Sequence, residues 1–145
     1  MEADAKTKAE IVKTIREMWK AYGRLDADGV LAFYAPDPDV VVIGSGADEV
    51  YVGPKQAKKG LKRDFAQTRS VKVRLSKVRI SAAGKAAWLA ANCLFTVHVA
   101  GCDIDMAGRL TAVFEKRKAR WLIMQSHFAM PYAGQAAGQS FPGAR

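Results

Sequence analysis

Apolar residues recur along residues 5–22 at Ile11, Ile15, Met18, Trp19 and Tyr22, offsets of four, seven, eight and eleven that mark one face of a helix. Asp4 can cap its start and Gly23 its end. A second helix is expected from Ala27 to Tyr34, capped by Asp26, with Leu31 and Phe33 or Tyr34 turned inward and Pro36 forbidding continuation. Val40-Val41-Val42-Ile43 then reads as a buried strand, ended by Gly44-Ser45-Gly46, and Glu49-Val50-Tyr51-Val52 as a short return. Gly53-Pro54 opens a third helix with Ala57, Leu61 and Phe65 on its inner face.

Beyond that helix the apolar period drops from helical spacing to two. Val71, Val73 and Leu75 share one parity and Val78 and Ile80 the other, so a bulge near Ser76-Lys77 is expected to bring all five to the core. Long strands follow over about 86–99, 102–116 and 120–129. With Ala100-Gly101 as a two-residue turn, Val99 faces Cys102, Val97 Ile104, Phe95 Met106, Cys93 Gly108, Ala91 Leu110 and Leu89 Ala112, all on one apolar face. A three-residue loop at Arg117-Lys118-Ala119 continues that face as Phe114/Leu122, Ala112/Met124, Leu110/Ser126 and Gly108/Phe128. The opposite face mixes Trp88, Asn92, Thr96, His98, Asp103, Asp105, Arg109, Thr111, Val113, Trp121, Ile123, Gln125 and His127. A solvated sheet face has little use for two Trp and an Ile together, so this surface is expected to meet a second copy of the chain.

At 145 residues, half of them apolar, the chain fits one domain with one core, placed here over residues 1–131, with a flexible tail at 132–145. No stretch approaches the ~18 apolar residues of a membrane span and no leader precedes the first helix, which points to a cytoplasmic protein. Cys93 and Cys102 are read as reduced thiols. The net charge of +9 is concentrated in residues 55–85, where eleven Lys and Arg face Asp64 alone. The region lacks interleaved aromatics and a Gly-rich phosphate loop, which argues against nucleic acid and for a solvated basic face.

The order of elements, with Asp39-Val40-Val41-Val42-Ile43-Gly44 followed by Gly53, then Ala87-Trp88, Arg109-Leu110-Thr111-Ala112-Val113 and Trp121-Leu122-Ile123-Met124 leading to His127-Phe128, resembles SnoaL-like domains of the NTF2-like superfamily. The resemblance runs from about Ile11 to Pro131. It implies an α+β, cystatin-like cone: three N-terminal helices on a strongly curved antiparallel sheet, an internal pocket, and dimers formed through the outer sheet face. Members of the superfamily include isomerases, dehydratases, polyketide cyclases and kinase association domains. The association domains carry Arg where this chain has Ala112 and Phe128, so their anion-binding pocket is not carried over.

The expected pocket residues are Tyr22, Tyr34, Ser45, Met106, Met124, Ser126 and Phe128, suited to a small, largely apolar ligand held by shape and one or two hydrogen bonds. Trp88, Asn92, Arg109, Trp121, Gln125 and His127 are assigned to the homodimer interface. No ionisable side chain of the long strands points inward, so an acid or base would come from the mouth, at Asp37, Asp39, Asp48 or Glu49. His127 is the weak alternative as a catalytic residue, and parity turns it outward. His98, Asp103 and Asp105 with Cys102 have metal-binding residue types, but Cys102 faces away from the others, so no metal and no cofactor is expected. Three readings stay open: a ligand-binding domain, a cofactor-free isomerase, cyclase or dehydratase, and an association module with a basic docking surface.

Overall fold

The computed structural model describes residues 1–144; Arg145, the last residue of the expected tail, lies outside them. Helix α1 spans Ala5–Gly23, and the Asp4 carboxylate accepts the Thr7 N–H at 2.7 Å, satisfying a donor that a helix start leaves open. Its buried side chains, Ile11, Ile15 and Met18, follow the spacing read from the sequence. Helix α2 is Ala27–Leu31, capped by Asp26 on the Gly29 N–H at 2.9 Å, and so stops before Phe33 and Tyr34. The reason is a competing partner. Ile123 donates its N–H to the Phe33 carbonyl at 2.8 Å and accepts from Ala35 at 3.0 Å, which draws this backbone to the sheet.

Strands β1 (Val41–Ile43) and β2 (Val50–Val52) form a short hairpin, followed by α3 (Gly53–Ala66). Gly53 turns the chain between them at φ +78°, where a side chain would be strained. Four long strands complete the sheet: β3 (Val71–Ala83), β4 (Ala86–Val99), β5 (Cys102–Arg117) and β6 (Arg120–Ala129). The order is β2-β1-β6-β5-β4-β3 in one six-stranded open sheet. All neighbours are antiparallel except β1 and β6, which run parallel. The helices cover the inner face, and Ile11, Ile15 and Met18 of α1 join Leu89, Phe114 and Ile123 of the sheet in one core.

The β4–β5 register is the expected one, with Val99 opposite Cys102, Phe95 opposite Met106 and Leu89 opposite Ala112. The β3–β4 pairing shifts between Ser76 and Arg79, and Lys77 at φ +50° marks the bulge. It leaves Val71 and Ile80 buried and Lys72, Arg74 and Arg79 exposed.

The β5–β6 hairpin differs from expectation in two places. Its turn has two residues, Lys118-Ala119, because Arg117 pairs directly with Arg120. A register shift beside Val113 and Phe114 then opposes Phe114 to Ile123 and Val113 to Gln125, leaving Met124 as the extra residue. Between turn and bulge every side chain of β6 is inverted relative to the sequence reading, while β5 keeps its faces. Trp121 is therefore not on the outer face: it is buried, and its indole N–H donates to Glu10 of α1 at 2.8 Å. Ile123 is likewise fully buried. Beyond the bulge the two differences add to a register change of two residues, which restores the faces: Ser126 lies opposite Ala112 and Phe128 opposite Leu110, both on the inner side. His127 lies opposite Thr111, and Arg109 opposite Ala129.

Candidate functional site

The helices and the inner sheet face enclose a cavity of about 290 Å³. Aromatic rings dominate its wall because the α1 face ends in Trp19 and Tyr22, while β4 and β6 present Phe95 and Phe128 opposite. Trp19 meets Tyr22 and Phe95 edge-on at 5.2 and 5.1 Å, and Phe95 leans on Phe128 at 4.6 Å between centroids. Phe128 fits because Gly108 of β5 lies beneath its ring, where any Cβ would collide with it.

Two hydrogen-bonded pairs interrupt this apolar wall. The Tyr34 hydroxyl and Ser126 Oγ lie 2.8 Å apart, both buried, joining the residue freed from α2 to β6. Burial pushes the Tyr34 phenol above its ordinary range, against the Ser126 bond that lowers it. The second pair joins α1 to α3: Tyr22 donates to Asp64 Oδ2 at 3.0 Å, and both residues line the cavity. Burial raises the Asp64 carboxyl above the usual carboxylate range, and the nearby Glu49 adds to the rise; the Tyr22 bond and Arg63 act in the opposite direction. The Tyr22 phenol is raised as well, by burial and then by the Asp64 charge. An acid and a base with displaced affinities for a proton thus share one cavity wall.

Asp64 was absent from the sequence-based candidates, which took carboxylates from the mouth. A signal existed. Asp64 lies seven residues after Ala57 and three after Leu61, on the face of α3 assigned inward, and is the sole acid among the eleven basic residues around it. Of the mouth acids, Glu49 lines the cavity and is bonded to Arg63 at 2.9 Å. Arg63 also holds Asp48, at 2.7 Å. Asp37 is tied to Arg117, away from the cavity.

A family model for the SnoaL-like domain matches residues 11–133. The chain belongs to that family. Solved structures agree on the fold. An NTF2-like superfamily protein from Salmonella enterica serovar Typhimurium superposes with a TM-score of 0.83 at 19% identity, covering 96% of this chain and 100% of that one. A protein from Streptomyces avermitilis, provisionally named a dehydratase of the NTF2-like family, gives 0.80 at 16% identity over 90% of this chain and 100% of its own. A protein of unknown function with a cystatin-like fold from Nostoc punctiforme gives 0.74 at 16% identity, over 92% and 97%. A search among curated proteins gives no match.

In this SnoaL-like domain, Tyr22, Tyr34, Ser45, Met106, Ser126 and Phe128 all line the cavity. Met124 does not: as the extra residue of the bulge it lies outside the lining, with its sulfur 3.8 Å from the Arg117 guanidinium. On the outer side, Trp88, Asn92, Arg109, Gln125 and His127 are exposed. His98 Nδ1 lies 2.8 Å from Asp103, its direct opposite in the β4–β5 register. Among the described residues, no three His, Cys, Asp or Glu side chains converge as a metal site would require. Burial pushes the Cys93 thiol up to about 11, while Cys102 is exposed. No described helix is long and apolar enough to cross a membrane.

Proposed function

We propose that this SnoaL-like domain binds a small, largely apolar molecule inside the cone, with the Tyr22–Asp64 pair as its polar anchor. The observation that carries the reading is a carboxylate placed in an aromatic cavity with a single protein hydrogen bond. Asp64 is half-buried, and taking a carboxylate even partly out of water costs stability unless something pairs with it, so its place on an aromatic wall is what an occupant would explain. Two further polar atoms of the wall support this: Trp19 Nε1 and Tyr51 Oη are buried with no partner among the described residues. The cavity, at about 290 Å³, lies at the small end of the range of ligand pockets and suits a small molecule. Screening ring-bearing small molecules by thermal shift is expected to find ligands whose stabilisation is weakened by Phe128→Ala and Tyr34→Ala. A broad library producing no shift would remove the reading.

The same pair favours a second reading, cofactor-free proton transfer. Asp64, its proton affinity raised by burial, would remove a proton from a carbon or oxygen of the ligand while Tyr22 holds the other carboxylate oxygen. The provisional dehydratase among the structural relatives is in keeping with such chemistry, at a level of identity that speaks for the fold alone. For a ligand found by the screen, exchange of its C–H protons in D₂O, followed by NMR, would separate the two readings. Exchange abolished by Asp64→Asn with binding retained marks an enzyme; no exchange marks a binding domain.

A further inference from the structure

Among the described residues, Asp64 of the cavity wall has no ion-pair partner. Asp64 accepts a bond from Tyr22, and its second oxygen accepts none from any described residue. Arg63, its neighbour in sequence, does not serve it, because that guanidinium bonds Asp48 and Glu49 and lies 5.8 Å from the centre of the Tyr51 ring. Glu49, the other carboxylate of the lining, is thereby matched. None of the described residues that line the cavity is Lys, Arg or His. The +9 of the chain resides elsewhere, much of it on exposed side chains of β3 such as Lys72, Arg74, Lys77 and Arg79.

This arrangement discriminates among ligand head groups. A carboxylate or phosphate would meet Asp64 with no cation in the lining to receive it, and like charges in a partly desolvated site repel strongly. A hydroxyl can donate one neutral bond to the free oxygen. An ammonium donates to the same oxygen with charge assistance, which roughly doubles the strength of the bond. Tyr22, whose hydroxyl bonds Asp64, brings an aromatic ring beside that position, and ring quadrupoles attract cations. We propose that the cone selects a protonated amine carried on a ring system, with the ammonium at Asp64 and the ring among Trp19, Tyr22, Phe95 and Phe128 of the lining. The proposal rests on the cone being a ligand site. The displaced proton affinity of Asp64 agrees with it, since burial without a cation raises that carboxyl and a bound cation would lower it again.

The test uses the full chain and three ring frames, benzyl, indolyl and naphthyl, each carried on a two-carbon arm ending in an amine, an alcohol or a carboxylate. Affinities are measured by calorimetry at pH 7. On at least one frame the amine is expected to bind about tenfold more tightly than the alcohol, the difference between a charge-assisted and a neutral hydrogen bond. The carboxylate is expected not to bind. Asp64→Asn keeps an acceptor for Tyr22 and should abolish the preference for amine over alcohol while the alcohol still binds. Alcohols binding as well as amines, or carboxylates binding best, would overturn the charge selection and leave the ligand site standing. If none of the nine compounds binds, the ligand-site reading falls, and this inference with it.

Discussion

Asp64 shows how one side chain can work against the fold it belongs to. Its carboxyl holds a proton more tightly in the folded chain than in the unfolded one, because burial disfavours the anion. By linkage, its contribution is favourable below the unfolded-state value of about 3.9 and is lost as the pH rises through the higher folded-state value. At neutral pH the ionised group therefore weighs against stability. Asp64→Asn is expected to melt at a higher temperature than the native chain at pH 7, and the gain should vanish near pH 3. An equal or lower melting temperature at pH 7 would mean that the carboxylate stabilises the fold and has no functional claim on its position. The residue was legible through helical spacing on α3. Strand parity, the stronger signal in this chain, speaks only of the sheet and passed over it.

The β5–β6 hairpin explains why some positions could be read from the alternation of apolar residues and others could not. Parity reports whether two residues share a face, and it survives any even change of register. Here the turn is one residue shorter than expected and the bulge at Met124 shifts the pairing by one more in the same direction, a change of two in all, so Ser126, His127 and Phe128 keep their faces while Trp121, Leu122 and Ile123, between turn and bulge, exchange theirs. Nothing in Trp121-Leu122-Ile123 opposes the wrong assignment, since all three are apolar. By contrast, Ala100 at φ +51° and Gly101 at φ +84° form a tight turn of the left-handed kind that two-residue hairpins favour, and the β4–β5 register followed from it. The inverted segment can be checked by substitution. Trp121→Ala empties a core position and cuts the tie to Glu10, and is expected to lower stability by about 3–5 kcal/mol. Trp88→Ala, at 38% exposure, should cost under about 1 kcal/mol in the monomer. Denaturation midpoints showing equal effects for the two would return Trp121 to the outer face.

For the whole molecule, the sheet has one face committed to the helices and one face over which no described helix packs. The far edge, β3, is partly covered by the chain's own start, where Ala3 donates to the Ile80 carbonyl at 3.4 Å and Ala82 to that of Met1 at 3.0 Å. The outer face has no such cover. Trp88 and Val113 are directly opposed in the β4–β5 register, and both remain more than a third exposed, with Ile104 further along β5. With Trp121 and Ile123 now assigned to the core, the apolar part of this face is smaller than the sequence suggested, and its remaining members are flanked by Asn92, Arg109, Gln125 and His127. An apolar centre with a polar surround is the arrangement of an association surface. We propose that two copies pair through it, with Trp88 and Val113 at the centre, and the consequence is specific. At micromolar concentration, sedimentation should return a dimer for the native chain. Val113→Glu places a charge at the centre of the contact and should shift the mass to that of one chain while the far-ultraviolet spectrum stays native, because the side chain is absent from the core. A native chain that sediments as a monomer would sink the pairing. A Val113→Glu dimer would instead place the contact elsewhere on the molecule.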